Sequence, residues 1–248
     1  MAADAIARDI EAQLAEAGDP QRAEQEQRYL KSTLRHFGAS VPATRRIAKA
    51  ALAARPQLAH DGLVRTVAAL WARPVHECRA AAVELLDLRA DLLGPEDLAL
   101  IERMLRESRT WALVDGLAAS VAGPLVERFP ELAARLDAWA ADEDFWIRRS
   151  ALLALLLPLR AGGGDFDRFG RYASGMLAER EFFIRKAIGW VLRDTSRKRP
   201  DLVFEWLLPR AASASGVTVR EAVKYLAAEQ RDAILTAYRD GRARAAKA

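Results

Sequence analysis

A ten-residue pattern returns along this chain at nearly constant spacing, and it limits the fold more than any other feature. The stretches ECRAAAVELL, WALVDGLAAS, WIRRSALLAL, FIRKAIGWVL and TVREAVKYLA begin at Glu77, Trp111, Trp146, Phe183 and Thr218, which are 34, 35, 37 and 35 residues apart. Arginine is third in four of them (Arg79, Arg148, Arg185 and Arg220), and the fifth position holds Ala81, Asp115, Ser150, Ala187 and Ala222. Such a period belongs to a helical solenoid, in which each helix pair buries its apolar face only against its neighbours. The rest of the chain agrees. β-Branched alternation is nearly absent, and Ala, Leu, Arg and Glu dominate. Breaks recur at Gly18-Asp19-Pro20, Ala39 to Pro42, Arg73-Pro74, Gly94-Pro95, Gly123-Pro124, Phe129-Pro130, Gly162 to Asp165 and Arg199-Pro200. The expectation is an all-α solenoid of about six helix pairs, continuous over residues 1–248, with the second helices lining a concave surface.

Within this repeat, TWALVDGLAASVAG (110–123) raises a question. Asp115 takes a slot that the other stretches fill with Ala or Ser, the small residues that let helices approach closely. A carboxylate buried there without a partner would cost several kcal/mol. It is therefore either paired, for instance with one of the recurring arginines, or open to the groove. Trp111 lies one helical turn earlier on the same face. Arg149 occurs in the matching stretch one repeat later, and Trp190 falls in the next. In a regular stack of second helices these four residues converge on one stretch of the concave wall; the plain alternative is that both tryptophans are core.

Charge and composition narrow the function classes. Net charge is +4, but residues 1–26 sum to −5, so the rest of the chain holds +9. A basic body favours a polyanionic partner. The start, MAADAIARDIEAQLAEAG, is acidic and amphipathic, unlike a signal peptide, and reads as a capping region. The longest apolar run, Ala151 to Leu159, is nine residues with a proline inside, too short to span a bilayer. A lone cysteine, Cys78, suits a reducing cytoplasm. His76 and Cys78 are two apart on a predicted helix and point to different faces, while His36 and His60 have no ligand-spaced partners. The glycines at 162–164 lack the context of a phosphate loop, and no Ser or Cys nucleophile sits in a recognisable elbow. Neither metal nor organic cofactor is expected, and the default assembly is a monomer.

Four stretches carry a family resemblance: YLKSTLRHFGASVPATRR (29–46), TWALVD (110–115), DFWIRRSALLAL (144–155) and EFFIRKAIGWVLRDTSRKRP (181–200). Together they resemble the bacterial DNA glycosylases for alkylated bases built from HEAT-like repeats, the AlkD-like family, over roughly residues 20–230. The resemblance implies a right-handed α-solenoid whose concave, basic groove cradles duplex DNA, with Trp111, Asp115, Arg149 and Trp190 as groove residues and Tyr29 as a further wall aromatic. Two departures stand out: Thr110 where many members carry a second tryptophan, and Ala112 where an acid is common.

The implied chemistry is hydrolysis of the N-glycosidic bond of purines alkylated at N3 or N7. Such bases carry a positive charge and leave as neutral groups, so no general acid is needed. The reaction needs an oxocarbenium-like sugar stabilised and a water positioned. Asp115 is suited to both tasks, Arg149 to a neighbouring phosphate, and the two indole faces to the cationic nucleotide. Most glycosylases extrude the base into a pocket; the resemblance implies action without base flipping, which would admit bulky adducts. Arg45, Arg46, Lys49, Arg148, Arg185, Lys186, Arg193, Arg197, Lys198 and Arg199 are candidate phosphate contacts, or else solvated charges and inter-repeat pairs. Two other classes stay open, a catalytically silent protein that binds damaged or branched DNA and a protein–protein scaffold.

Overall fold

The structure is a computed structural model that describes residues 2–245. Among the described residues it is all-α: no strand forms, and an isolated bridge joins Arg35 to Val75. No helix among them is long and apolar enough to cross a membrane. The chain divides into two compact units, one ending at Leu125 and one beginning at Val126.

The first unit contains α1 (Ala2–Glu16), α2 (Pro20–Leu30), α3 (Val41–Ala53), α4 (His60–Trp71), α5 (His76–Leu88), α6 (Leu98–Ser108) and α7 (Trp111–Gly116). After α7 the backbone winds as a π-helix over Leu117–Ala122 and returns to α-helix in α8 (Gly123–Arg128), within which the unit boundary falls. The starts follow from local chemistry. Asp19 accepts from the amides of Gln21 and Arg22, Ser40 accepts from Ala43, and Pro20 and Pro42 sit in first turns, where a missing N–H leaves no helical bond unmade. Gly38 closes the loop after α2 at φ +82°, where an added Cβ would lie 2.0 Å from Asp19 O, so only glycine fits. α5 packs against α3, α4 and α7, while α1 covers α3 and α4 and α6 packs on α7. In α6 the buried Leu98, Ile101, Met104 and Leu105 form one helical stripe, the spacing that gives an amphipathic helix its inner face.

The second unit contains α9 (Ala133–Ala140), α10 (Phe145–Leu153), α11 (Leu156–Arg160), α12 (Phe166–Met176), α13 (Phe182–Ser196), α14 (Pro200–Leu207), α15 (Gly216–Ala222) and α16 (Ala228–Ala245). Side-chain caps recur: Asp144 on Trp146 N, Asp165 on Arg168 N, Glu181 on Phe183 N and Ser215 on Thr218 N. α13 is central, packed against α10, α11, α14 and α15. It approaches α15 closely at Gly189, where a Cβ would stand 2.9 Å from Glu221 Cβ.

All five repeated stretches lie at helix starts, on α5, α7, α10, α13 and α15. Within the first unit α5 touches α7, and within the second α13 touches both α10 and α15. The fifth-position residues Ala81, Ser150, Ala187 and Ala222 are each 0% exposed, as the close packing of these helices requires. Asp115 is the exception and keeps part of its surface open.

Candidate functional site

α6 ends with Arg109 in the left-handed region at φ 46°, which turns the chain sharply into α7. Thr110 then caps α7 through the Ala112 amide. This turn places Trp111, partly exposed, at the head of the helix and Asp115 one turn behind it. From α2, Tyr29 reaches the same indole: the two rings meet edge to face, 6.2 Å between centroids and 82° between planes. Tyr29 is 73% exposed, so this contact leaves most of the ring open to a ligand. The π-helical stretch begins two residues after Asp115 and admits an extra residue to the turn, a distortion often found at functional sites.

Beside Trp111 the first unit holds a pocket of about 270 Å³ whose wall includes Tyr29, Val41, Trp111, His76, Glu26, Glu77 and Glu84. His76 stacks on His36, with centroids 4.6 Å apart and planes 6° apart. Burial, then the neighbouring His36, pushes the His76 imidazole down to about 4, and burial also lowers His36. Glu77, buried at α5's first turn, accepts from Phe37 N (3.0 Å) and Gly38 N (2.6 Å) and so fixes the loop that follows α2. Burial raises the Glu84 carboxyl, against the opposing pull of Arg45 at 3.4 Å.

The remaining cations of this unit differ in how far they are committed. Arg45 pairs with Asp87 (3.2 Å) as well as Glu84, whereas Arg46 and Lys49 are exposed along α3. Arg79, the first recurring arginine, lies 4.9 Å over the Trp71 ring and donates to Glu107 O at 3.2 Å.

In the second unit two of the recurring arginines also hold backbone. Arg148 makes a two-pronged bond to Glu179 (2.9 and 2.8 Å) and donates to the carbonyls of Asp142 and Glu143; Arg185 donates to Glu179 O at 2.6 Å. These are the inter-repeat pairs that the sequence offered as the alternative to phosphate contacts. Arg149 is 3% exposed, donates to Phe183 O and lies 5.9 Å from the Phe183 ring, so little of its guanidinium is open to solvent. Trp190, partly exposed, donates its indole N–H to Asp194 at 3.1 Å. Asp194 is 5% exposed and also accepts from Arg160 (2.8 Å) and Arg193 (3.1 Å); Arg193 continues to Glu221. Arg197 stacks over Tyr225 at 3.9 Å, and Arg199 donates to Gly163 O at 2.7 Å, which gives the glycine run at 162–164 a structural anchor. Lys186 and Lys198 are exposed.

The profile of the family described as DNA alkylation repair enzyme matches residues 10–226. The chain belongs to that family. Its fold is similar to that of a predicted DNA alkylation repair enzyme from Enterococcus faecalis, at TM-score 0.75 and 24% identity over 85% of this chain and 97% of the other. It is also similar to AlkD2 from Streptococcus mutans, at TM-score 0.59 and 18% identity over 84% of this chain and 99% of the other. A comparison with curated proteins gives no match. For this DNA alkylation repair family member, the first unit brings Tyr29, Trp111 and Asp115 to neighbouring positions, and the second joins Trp190 to Arg193 through Asp194. Sequence reasoning missed Glu77 and Asp194. Glu77 shows its task only through its contact with Phe37, 40 residues away; Asp194 has local partners at Trp190 and Arg193, and its bond from Arg160, 34 residues away, completes its task.

Proposed function

We propose that this chain is a monofunctional DNA glycosylase that hydrolyses the N-glycosidic bond of cationic N3- or N7-alkylpurines in duplex DNA, leaving an abasic site. The observation that carries this reading is Asp115: a partly exposed acid in a slot that is otherwise a fully buried small residue, one turn from a partly exposed indole. An anion in that setting stabilises positive charge as it develops on the deoxyribose, and its second oxygen orients the attacking water. The leaving base is neutral once released, so no acid is required of the protein. The faces of Trp111 and Tyr29 attract the cationic nucleotide before cleavage.

The duplex stays stacked while bound, so bulky adducts need not fit an enclosed cavity. Trp190, partly exposed, faces the damaged strand, and Arg149, whose guanidinium donates to Phe183 O, holds the start of α13 in place for it. Among the cations, the exposed Arg46, Lys49, Lys186 and Lys198 are assigned to phosphates, with Arg45, Arg197 and Arg199 at their margins. Arg148, Arg185 and Arg193 are committed to carboxylates and carbonyls and hold helices in place. Phosphate contacts orient without reading sequence, so salt dependence is steep and sequence preference weak.

The test is release of free base from duplex DNA carrying N7-methylguanine, with Asp115→Asn as the control. Wild type releases the base and the variant binds without releasing it. Binding without release by wild type makes the chain a silent DNA-binding relative, and no binding at low salt makes it a scaffold.

A further inference from the structure

Three segments of the first unit meet below Tyr29: the last turns of α2, the loop over 31–40 and the first turn of α5. Each contributes one group. Glu26, His36 and Glu77 offer one nitrogen or oxygen donor apiece, and the three donor atoms all lie within 4.8 Å of one another. Two carboxylates and an imidazole suit a divalent first-row ion, which binds such donors at roughly 2.0–2.2 Å.

A second observation points the same way. His36 is 8% exposed, and neither Nδ1 nor Nε2 has a hydrogen-bond partner. A buried imidazole carries one N–H and one lone pair, and native proteins seldom leave both unmet. The His76 ring stacked at 4.6 Å fixes the plane of His36. The amides of Phe37 and Gly38 hold the Glu77 carboxylate, and Arg22 Nε holds Glu26 at 2.6 Å. Metal-binding side chains are typically oriented by such outer contacts.

A comparable cluster, His60, Glu96 and Asp97, lacks this signature. There His60 Nε2 meets both Asp97 oxygens (3.0 and 2.9 Å) and Nδ1 meets Asp61 (3.1 Å), so the ring is satisfied by protein alone.

We propose that Glu26, His36 and Glu77 form a binding site for one divalent ion of the zinc class, which ties α2 to α5. Tyr29 lies three residues after Glu26, on the same side of α2. Fixing that turn fixes the ring that meets Trp111, so the ion sets the aromatic wall next to Asp115. The site does not depend on the glycosylase reading, because it is read by binding alone.

The experiment titrates the full-length protein, stripped with a chelator, with Zn²⁺ by calorimetry and with Co²⁺ by visible absorption. One equivalent binds, and zinc raises the melting temperature. Glu26→Gln and His36→Gln each weaken binding by about tenfold or more, whereas His60→Gln leaves it unchanged. Glu26 is partly exposed, so Glu26→Gln keeps the test alive if His36→Gln fails to fold. Absence of saturable binding of either metal, or one-equivalent binding undiminished in folded Glu26→Gln, overturns the proposal.

Discussion

The two units each immobilise a partly exposed tryptophan environment, but with opposite chemistry. In the first, Glu77 is the buried acid beside Trp111's pocket, and its partners are backbone amides of the loop after α2. In the second, Asp194 is the buried acid, and its partners are the guanidiniums of Arg160 and Arg193 and the indole of Trp190. Charge divides the same way: residues 1–125 sum to −1 and residues 126–248 to +5. The lesson is a division of labour. An amide-anchored acid orders the first unit's loop through neutral donors, beside a pocket lined by Tyr29, Trp111 and mostly apolar surface. The arginine-anchored acid of the second lies in a helix region rich in positive charge, suited to holding a polyanion.

The largest effect expected from breaking this comparison lies at Asp115. Asp115→Asn lowers single-turnover release of N7-methylguanine by about a hundredfold or more, while the circular dichroism spectrum and DNA affinity stay near wild type. An equal drop in affinity would move Asp115 from chemistry to binding.

Removing the buried acids ranks next. Asp194→Ala removes the acceptor shared by Arg160, Arg193 and the Trp190 indole and costs about 3 kcal/mol in urea unfolding, roughly 1 kcal/mol for each hydrogen bond lost. Glu77→Ala leaves two neutral amides unmet and costs less, about 2 kcal/mol. The reverse order would mean that the second unit's network is more solvated than its burial indicates. A tryptophan emission change accompanies Asp194→Ala even under native conditions, because the Trp190 indole no longer has its acceptor.

A smaller effect separates the units on DNA. Lys186→Ala with Lys198→Ala lowers the slope of log affinity against log salt by about 0.9 for each phosphate that the protein no longer neutralises. Arg46→Ala with Lys49→Ala in the first unit lowers it by less, and equal slopes would erase the proposed asymmetry.

The smallest effect is a pH dependence confined to the first unit. Hydrogen bonds to Asp61, then Asp97, raise the His60 imidazole above its ordinary 6.5. The stability it contributes is therefore present below pH 6.5 and lost as pH rises through the raised value. His60→Gln flattens that part of the melting-temperature profile by a small amount. Cys78 offers a control with no charge change: burial pushes its thiol up to about 12, so a disulfide reagent labels it only after unfolding.

Much of this is readable from sequence, for identifiable reasons. The caps at Asp19, Ser40, Thr110 and Asp144 act on amides two or three residues away, so sequence spacing suffices to find them. The five repeated stretches fall on helix starts because helix periodicity is itself local. The histidines are not readable in this way. His36 and His60 have no partners at ligand spacing in the chain, yet folding brings His36 to Glu77 and His60 to Asp97. The same holds for Arg148, in sequence a candidate for a phosphate contact or an inter-repeat pair, which meets Glu179 in space.

By itself, the sequence determined the helices, their caps, the repeat and the odd acid at Asp115, since each depends on interactions within a few turns of one helix. Tertiary structure alone decided which cations remain open, which acids are locked, and which imidazole is left unsatisfied. Those outcomes depend on what packs against each side chain from segments some 30 to 40 residues away, and burial then sets the strength of every polar contact made there.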